Sequence, residues 1–119
     1  MHITRVYADA GGDSHFADLD IPLTQAGALG AMSELMPADG VIFRENEPDY
    51  DLDWHCAPRR QYIVLLDGAI EITVSDGATR SFSGGDVILV EDTAGQGHRT
   101  RNIRAERRRS LFIPVPSEA

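Results

Sequence analysis

The residues of this chain best equipped for chemistry crowd into one stretch, Asp-Trp-His-Cys-Ala-Pro-Arg-Arg-Gln-Tyr-Ile-Val-Leu-Leu-Asp-Gly at positions 53–68. It holds His55, the only cysteine (Cys56) and the adjacent pair Arg59 and Arg60. An imidazole in such company is either a metal ligand or a hydrogen-bonded residue of a buried wall. Arginine is a planar fork matched to carboxylates and phosphates. An inward Arg59 would hold a substrate carboxylate bidentately; the alternative is a salt bridge to Asp51, Asp53 or Glu91. Cys56 reads as a small packed hydrophobe, because nothing assures the electropositive surroundings a reactive thiolate needs.

Composition removes several function classes. All 11 basic residues are arginine, and without a lysine amine no Schiff-base enzyme can be built. A formal net charge of -8 argues against a nucleic-acid partner, since phosphate contacts need a basic surface. Arg99, Arg101, Arg104, Arg107, Arg108 and Arg109 form a local exception. They predict a solvated strand surface paired with acidic neighbours; an anion-attracting face is the alternative. A single cysteine rules out an internal disulfide and fits a reducing compartment. No apolar run is long enough to span a membrane, and the first residues lack the tracts of a signal peptide. The expected setting is therefore cytoplasmic, without a membrane partner. Neither a P-loop, a dinucleotide fingerprint nor a Gly-x-Ser-x-Gly elbow is present.

The elements that must position these residues are strands. Residues 3–8, 16–23, 41–45, 61–66, 69–74, 79–82, 86–91 and 110–116 read as short apolar or alternating segments. Several are separated by Asp-Gly, Ser-Asp-Gly and Ser-Gly-Gly turns. Residues 24–40 predict a loop with a brief helical turn around Met32 to Leu35, ended by Pro37. Residues 46–53 predict an acidic connection. With 119 residues and no repeat or composition break, one all-β domain over 1–119 is expected: a sandwich, jelly roll or small barrel. Strand alternation offers a check. If Gln61 faces inward, so do Ile63 and Leu65, while Tyr62, Val64 and Leu66 face away. The same parity carried backwards places Arg59, Ala57 and His55 inside, unless a turn at Ala57-Pro58 breaks it.

The segment from His55 to Gly68, followed by Gly-Gly-Asp-Val-Ile-Leu-Val-Glu-Asp-Thr-Ala-Gly-Gln-Gly-His at 84–98, resembles the two sequence motifs of the cupin superfamily. The resemblance spans about residues 40–114 and implies a double-stranded β-helix, a jelly-roll cupin barrel. In the first motif His55 takes the leading histidine position, Ala57 stands where a second histidine is usual, Gln61 replaces glutamate, and Gly68 closes the strand. In the second motif Gly85-Asp86 and His98 fit, with a turn two residues longer than usual.

For metal-holding cupins these positions are the ligands, so the resemblance implies a partial set of His55, Gln61 and His98. Imidazoles suit a divalent transition metal, zinc or nickel first and iron as a third candidate, while the amide is a weak neutral donor. Such a centre acts as a Lewis acid on a carbonyl or on bound water. The alternative is a metal-free polar barrel centre in which the same groups bond to one another. Glu91-Asp92 stands where many cupins have proline; Glu91 is a candidate general base or oxygen ligand, or else a solvated loop charge. Arg59 and Arg60 are candidate substrate contacts, and Tyr62, Trp54 and Phe43 are candidates for a pocket mouth or for core.

The implied function is a small metal-dependent enzyme acting on a carbonyl- or carboxylate-bearing small molecule. Isomerase, lyase or hydrolase chemistry fits better than dioxygenation, because the ligand set is incomplete. A non-catalytic small-molecule sensor or carrier is the alternative. Small cupins commonly pair, and residues 3–10 are a candidate edge strand, so a homodimer is expected.

Overall fold

The computed structural model describes residues 1–117. Among these residues every regular element is a strand: β1 (His2–Ala8), β2 (Ser14–Asp20), β3 (Ile42–Asn46), β4 (Asp51–His55), β5 (Gln61–Leu65), β6 (Ala69–Val74), β7 (Thr79–Ser83), β8 (Val87–Val90), β9 (His98–Asn102) and β10 (Arg108–Pro114). They form two sheets, ordered β2-β1-β8-β5-β10-β3 and β4-β9-β6-β7. From β3 onward the chain places β3, β10, β5 and β8 on one wall and β4, β9, β6 and β7 on the other. That is jelly-roll topology. The β1–β2 hairpin extends the larger wall, with β1 parallel to β8. Among the described residues no helix is long and apolar enough to cross a membrane.

The alternation expected of residues 61–66 is what builds the interior. Gln61 and Leu65 are buried on the inner face, and Leu65 joins Val6, Ile70, Ile72, Val74, Phe82, Ile88 and Val90 in the core between the sheets. Each fully buried aliphatic side chain contributes on the order of 1.5–3 kcal/mol. Tyr62, one residue out of phase, instead packs with Ile3, Leu89 and Val115 on the opposite face of the larger sheet.

Four expectations are corrected. The loop over 24–40 is extended, with a bridge between Gln25 and Met32 in place of a helical turn. The acidic connection at 46–53 runs into β4, and β9 carries no aliphatic residue at all. Both strands escape an apolar pattern because the inward positions of β9, His98 and Thr100, are polar residues lining a cavity. The segment proposed as a free edge is β1, which is paired on both sides, to β2 and to β8. Finally, Cys56 is only partly buried, its Sγ directed at the Gly95 carbonyl at 3.3 Å.

Candidate functional site

Adjacent strands of the smaller sheet deliver the two motif histidines to one place. After a register irregularity following Leu52, His55 at the end of β4 pairs directly with His98 at the start of β9. Their rings meet edge to face with centroids 4.4 Å apart. Gly97 makes the approach feasible. Its φ is +76°, and a Cβ there would collide with the backbone carbonyl of His55, so a glycine is what lets β9 come this close to β4.

Each ring is fixed through its Nδ1. In His55 that atom donates to the Asp53 carbonyl at 2.7 Å; a carbonyl only accepts, so Nδ1 carries the hydrogen. Burial, with repulsion from Arg44, lowers the proton affinity of the ring. A neutral ring so oriented leaves Nε2 with its lone pair free. In His98 the Nδ1 lies 2.5 Å from Oδ2 of Asp92. Asp92 is itself fully buried, and Ser14 Oγ donates to the same oxygen at 3.1 Å. A histidine anchored to a carboxylate or carbonyl by one nitrogen, with the other free, is the arrangement common to metal-bound imidazoles.

A cavity of about 50 Å³ opens beside these rings, lined at one end by His55, Gln61 and His98 and further along by Arg44, Tyr50 and Arg108. Gln61 is 1% exposed, and its Oε1 has no hydrogen-bond partner. The donor set is thus two imidazoles and one orphaned amide oxygen. With metal–nitrogen bonds of about 2.0–2.1 Å, two imidazoles on one tetrahedral ion have ring centres roughly 5 Å apart, somewhat more than the separation here. In its chemistry the donor set suits a divalent ion held without any carboxylate. Ala57, where a further histidine is usual, is buried in the core cluster. Among the described residues no group of three or more His, Cys, Asp or Glu is placed to hold a metal.

The remaining sequence candidates fall elsewhere. Pro58, Arg59 and Arg60 form a bend that ends the inward parity. Arg59 and Arg60 line an exterior groove together with Arg5 and Glu91. Glu91 is clamped there between Arg5 and Arg60, the latter at 2.6 Å. Burial pushes its proton affinity up, but the bonds from the two arginines outweigh that, so its carboxyl stays below the usual range. Glu91 as base and Arg59 or Arg60 as contacts within the barrel are corrected on this ground: they occupy the far side of the larger sheet. Tyr62 shares that side, and Trp54 and Phe43 are exposed rather than lining the cavity.

The residues that sequence reasoning missed are Asp92, Arg44, Arg108 and Tyr50. Asp92 was one position from the chosen acid. Five of the six clustered arginines do face acids at the surface: Arg99 with Asp53, Arg101 with Glu71, Arg104 with Glu106, Arg107 with Glu45 and Glu47, and Arg109 with Asp67. The sixth, Arg108, is 1% exposed and turned inward.

No protein-family model and no curated protein matches this sequence. Among solved structures, the cupin domain of Cnp3 from Schizosaccharomyces pombe superposes with a TM-score of 0.53, at 16% identity, over 87% of this chain and 73% of that one. Protein NMB1881 from Neisseria meningitidis gives a TM-score of 0.51, at 18% identity, over 70% of this chain and 81% of that one. The strand order and this likeness together establish the fold: the chain is a small jelly-roll barrel similar in fold to that cupin domain.

Proposed function

We propose that the barrel cavity is the working site of a small metal-dependent enzyme acting on a carbonyl- or carboxylate-bearing small molecule. His55 and His98 would hold a divalent ion, zinc or nickel first and iron third, through their Nε2 atoms, with Gln61 Oε1 as a weak third donor. The observation that carries this reading is the edge-to-face histidine pair, each ring tied by Nδ1, beside an orphaned amide oxygen. When bound, such an ion supplies Lewis acidity toward a carbonyl or a water molecule. The chain's own groups do the rest. Asp92 fixes the tautomer of His98, the Asp53 carbonyl fixes that of His55, and the aliphatic wall around Ile72 and Val90 limits water in the cavity.

Elemental analysis of protein purified without a metal-affinity tag tests the reading. Near-stoichiometric transition metal is expected, and His98→Ala is expected to abolish it; metal content unchanged in that variant would overturn the ligand assignment. One observation favours a second reading, a non-catalytic carrier or sensor: among the described residues no carboxylate is placed beside the two histidines as a third metal donor. A protein free of metal that still binds small molecules in the cavity would support it. The homodimer also stands as a proposal, with its candidate edge moved from β1 to β3, an outer strand bearing the exposed Phe43. Sedimentation of wild-type protein and of Phe43→Glu tests it, a dimer that dissociates in the variant being the expected result.

A further inference from the structure

The strand register gives the cavity two ends of different chemistry. β10 pairs with β5 so that Pro114 faces Gln61 and Ser110 faces Leu65, which sets Arg108 beyond the far end of β5. On the neighbouring strand Arg44 faces Ser110, so Arg44 and Arg108 are diagonal neighbours on one inner face. The histidines and Gln61 thus hold one end of the cavity and two guanidinium groups the other.

Both cations are poorly compensated. Arg108 donates from Nε to Asn102 Oδ1 at 2.7 Å, and Arg44 from Nε to Asn46 Oδ1 at 2.8 Å; both acceptors are neutral. The Arg108 Nη2 is buried with no partner. Among the described residues no carboxylate lies within ion-pair distance of either group. Asp67, whose charge Arg108 feels, is engaged by the backbone and side chain of Arg109 instead. The two guanidinium carbons lie over the Tyr50 ring at 5.3 and 5.0 Å, an attraction that offsets only part of the cost of burial. Burial, with repulsion from Arg44, depresses the Arg108 pKa to about 10, still charged at neutral pH.

The fold accommodates this arrangement rather than avoiding it. Gly68 has a φ of +71°, and a Cβ there would come within 2.7 Å of the Arg108 Cβ. The motif glycine is thus the bed on which a buried arginine lies. A side chain held at that cost beside a cavity, with an unused donor, is a receptor waiting for an anion.

We infer that Arg44 and Arg108 form a carboxylate-binding subsite, so that the ligand of this barrel is a small carboxylic acid lying with its carboxylate on the guanidinium pair and its other end toward His55 and His98. The cavity of about 50 Å³ suits the carboxylate end of a small acid. This inference rests on the cavity being the ligand site and does not require the metal. It also assigns to Arg44 and Arg108 the role that the sequence suggested for Arg59.

The test is calorimetric titration of chelator-treated full-length protein with acetate, pyruvate and the neutral isostere acetamide. The acids are expected to bind and acetamide to bind at least about tenfold more weakly, one charge-assisted pair corresponding to about that factor. Arg44→Met and Arg108→Met are each expected to lower acid affinity by tenfold or more while leaving metal content unchanged. Replacing an unpaired buried cation by an apolar chain is compatible with folding; if Arg108→Met fails to fold, Arg44→Met and the acid–amide comparison still decide. Equal binding of acid and amide, or undiminished acid binding in a folded arginine variant, overturns the subsite. Stoichiometric metal without acid binding overturns the subsite alone; acid binding without metal overturns only the metal-dependent function.

Discussion

Oδ2 of Asp92 lies 2.5 Å from Nδ1 of His98, inside the protein, with the carboxylate wholly shielded from solvent. A buried acid behind an imidazole sets which nitrogen carries the proton and leaves the other, toward the cavity, as the donor. Asp92→Asn keeps an acceptor for Nδ1 but removes the negative charge. The expected result is a 10–100-fold loss of zinc or nickel affinity, read by competition with a chromophoric chelator, with the fold intact by circular dichroism. Unchanged affinity would show that Asp92 serves structure only.

Gly97 is the second lever on the same pair. Alanine there would face both a left-handed backbone conformation and the His55 carbonyl. The conformation alone costs about 1–3 kcal/mol, and the collision must separate β4 from β9. Gly97→Ala is expected to lower the unfolding free energy read from urea denaturation by at least that amount and to reduce metal content. A variant within about 0.5 kcal/mol of wild type, the range of innocuous surface changes, would mean that the strands have room to spare.

Period-2 alternation from Gln61 to Leu65 was enough to divide the barrel wall into two faces, because a one-residue slip would turn every side chain to the other side. The same alternation could not cross the Pro58–Arg60 bend, so Arg59 was carried inward by a parity that no longer applied. Counting back by twos from Phe112 through Ser110 lands on Arg108, and this signal was present. It was masked because five flanking arginines are surface residues and a run of charge reads as a solvated face. Asp92 carried no signal to separate it from Glu91 until the chain direction at the end of β8 was known. One of the two adjacent acids turns into the barrel and the other out to Arg5 and Arg60.

Glu91 supplies a test of that separation. Its side chain is largely buried between Arg5 and Arg60, which are themselves partly exposed. Glu91→Gln removes both ion pairs and is expected to cost about 1–2 kcal/mol, less than a fully buried pair because water screens the arginines. Acid binding and metal content are expected to stay at wild-type levels. A selective loss of either, without loss of stability, would return Glu91 to the working site.

His15 makes stability depend on pH at a place remote from the cavity. Its Nε2 lies 2.6 Å from Asp9 and its Nδ1 2.7 Å from Asp76, so the ring ties the β1–β2 turn to the β6–β7 turn. The bond to Asp9, then that to Asp76, raises the proton affinity of His15 above its ordinary value of 6.5, against the opposing effect of burial. The bond to His15 lowers that of Asp9; a backbone bond from Ala78 and then His15 lower that of Asp76. The imidazolium contribution is therefore complete below 6.5 and is lost as pH rises through the raised folded value. The carboxylate contributions are complete above the ordinary aspartate value of 3.8 and are lost as pH falls through their lowered values. The bridge is at full strength between those limits. Thermal melts of wild type and His15→Gln across pH 3 to 9, roughly the span of these titrations, are expected to differ most near pH 5–6 and to converge at both ends. A difference that persists unchanged into alkaline solution would mean that His15 contributes packing rather than charge.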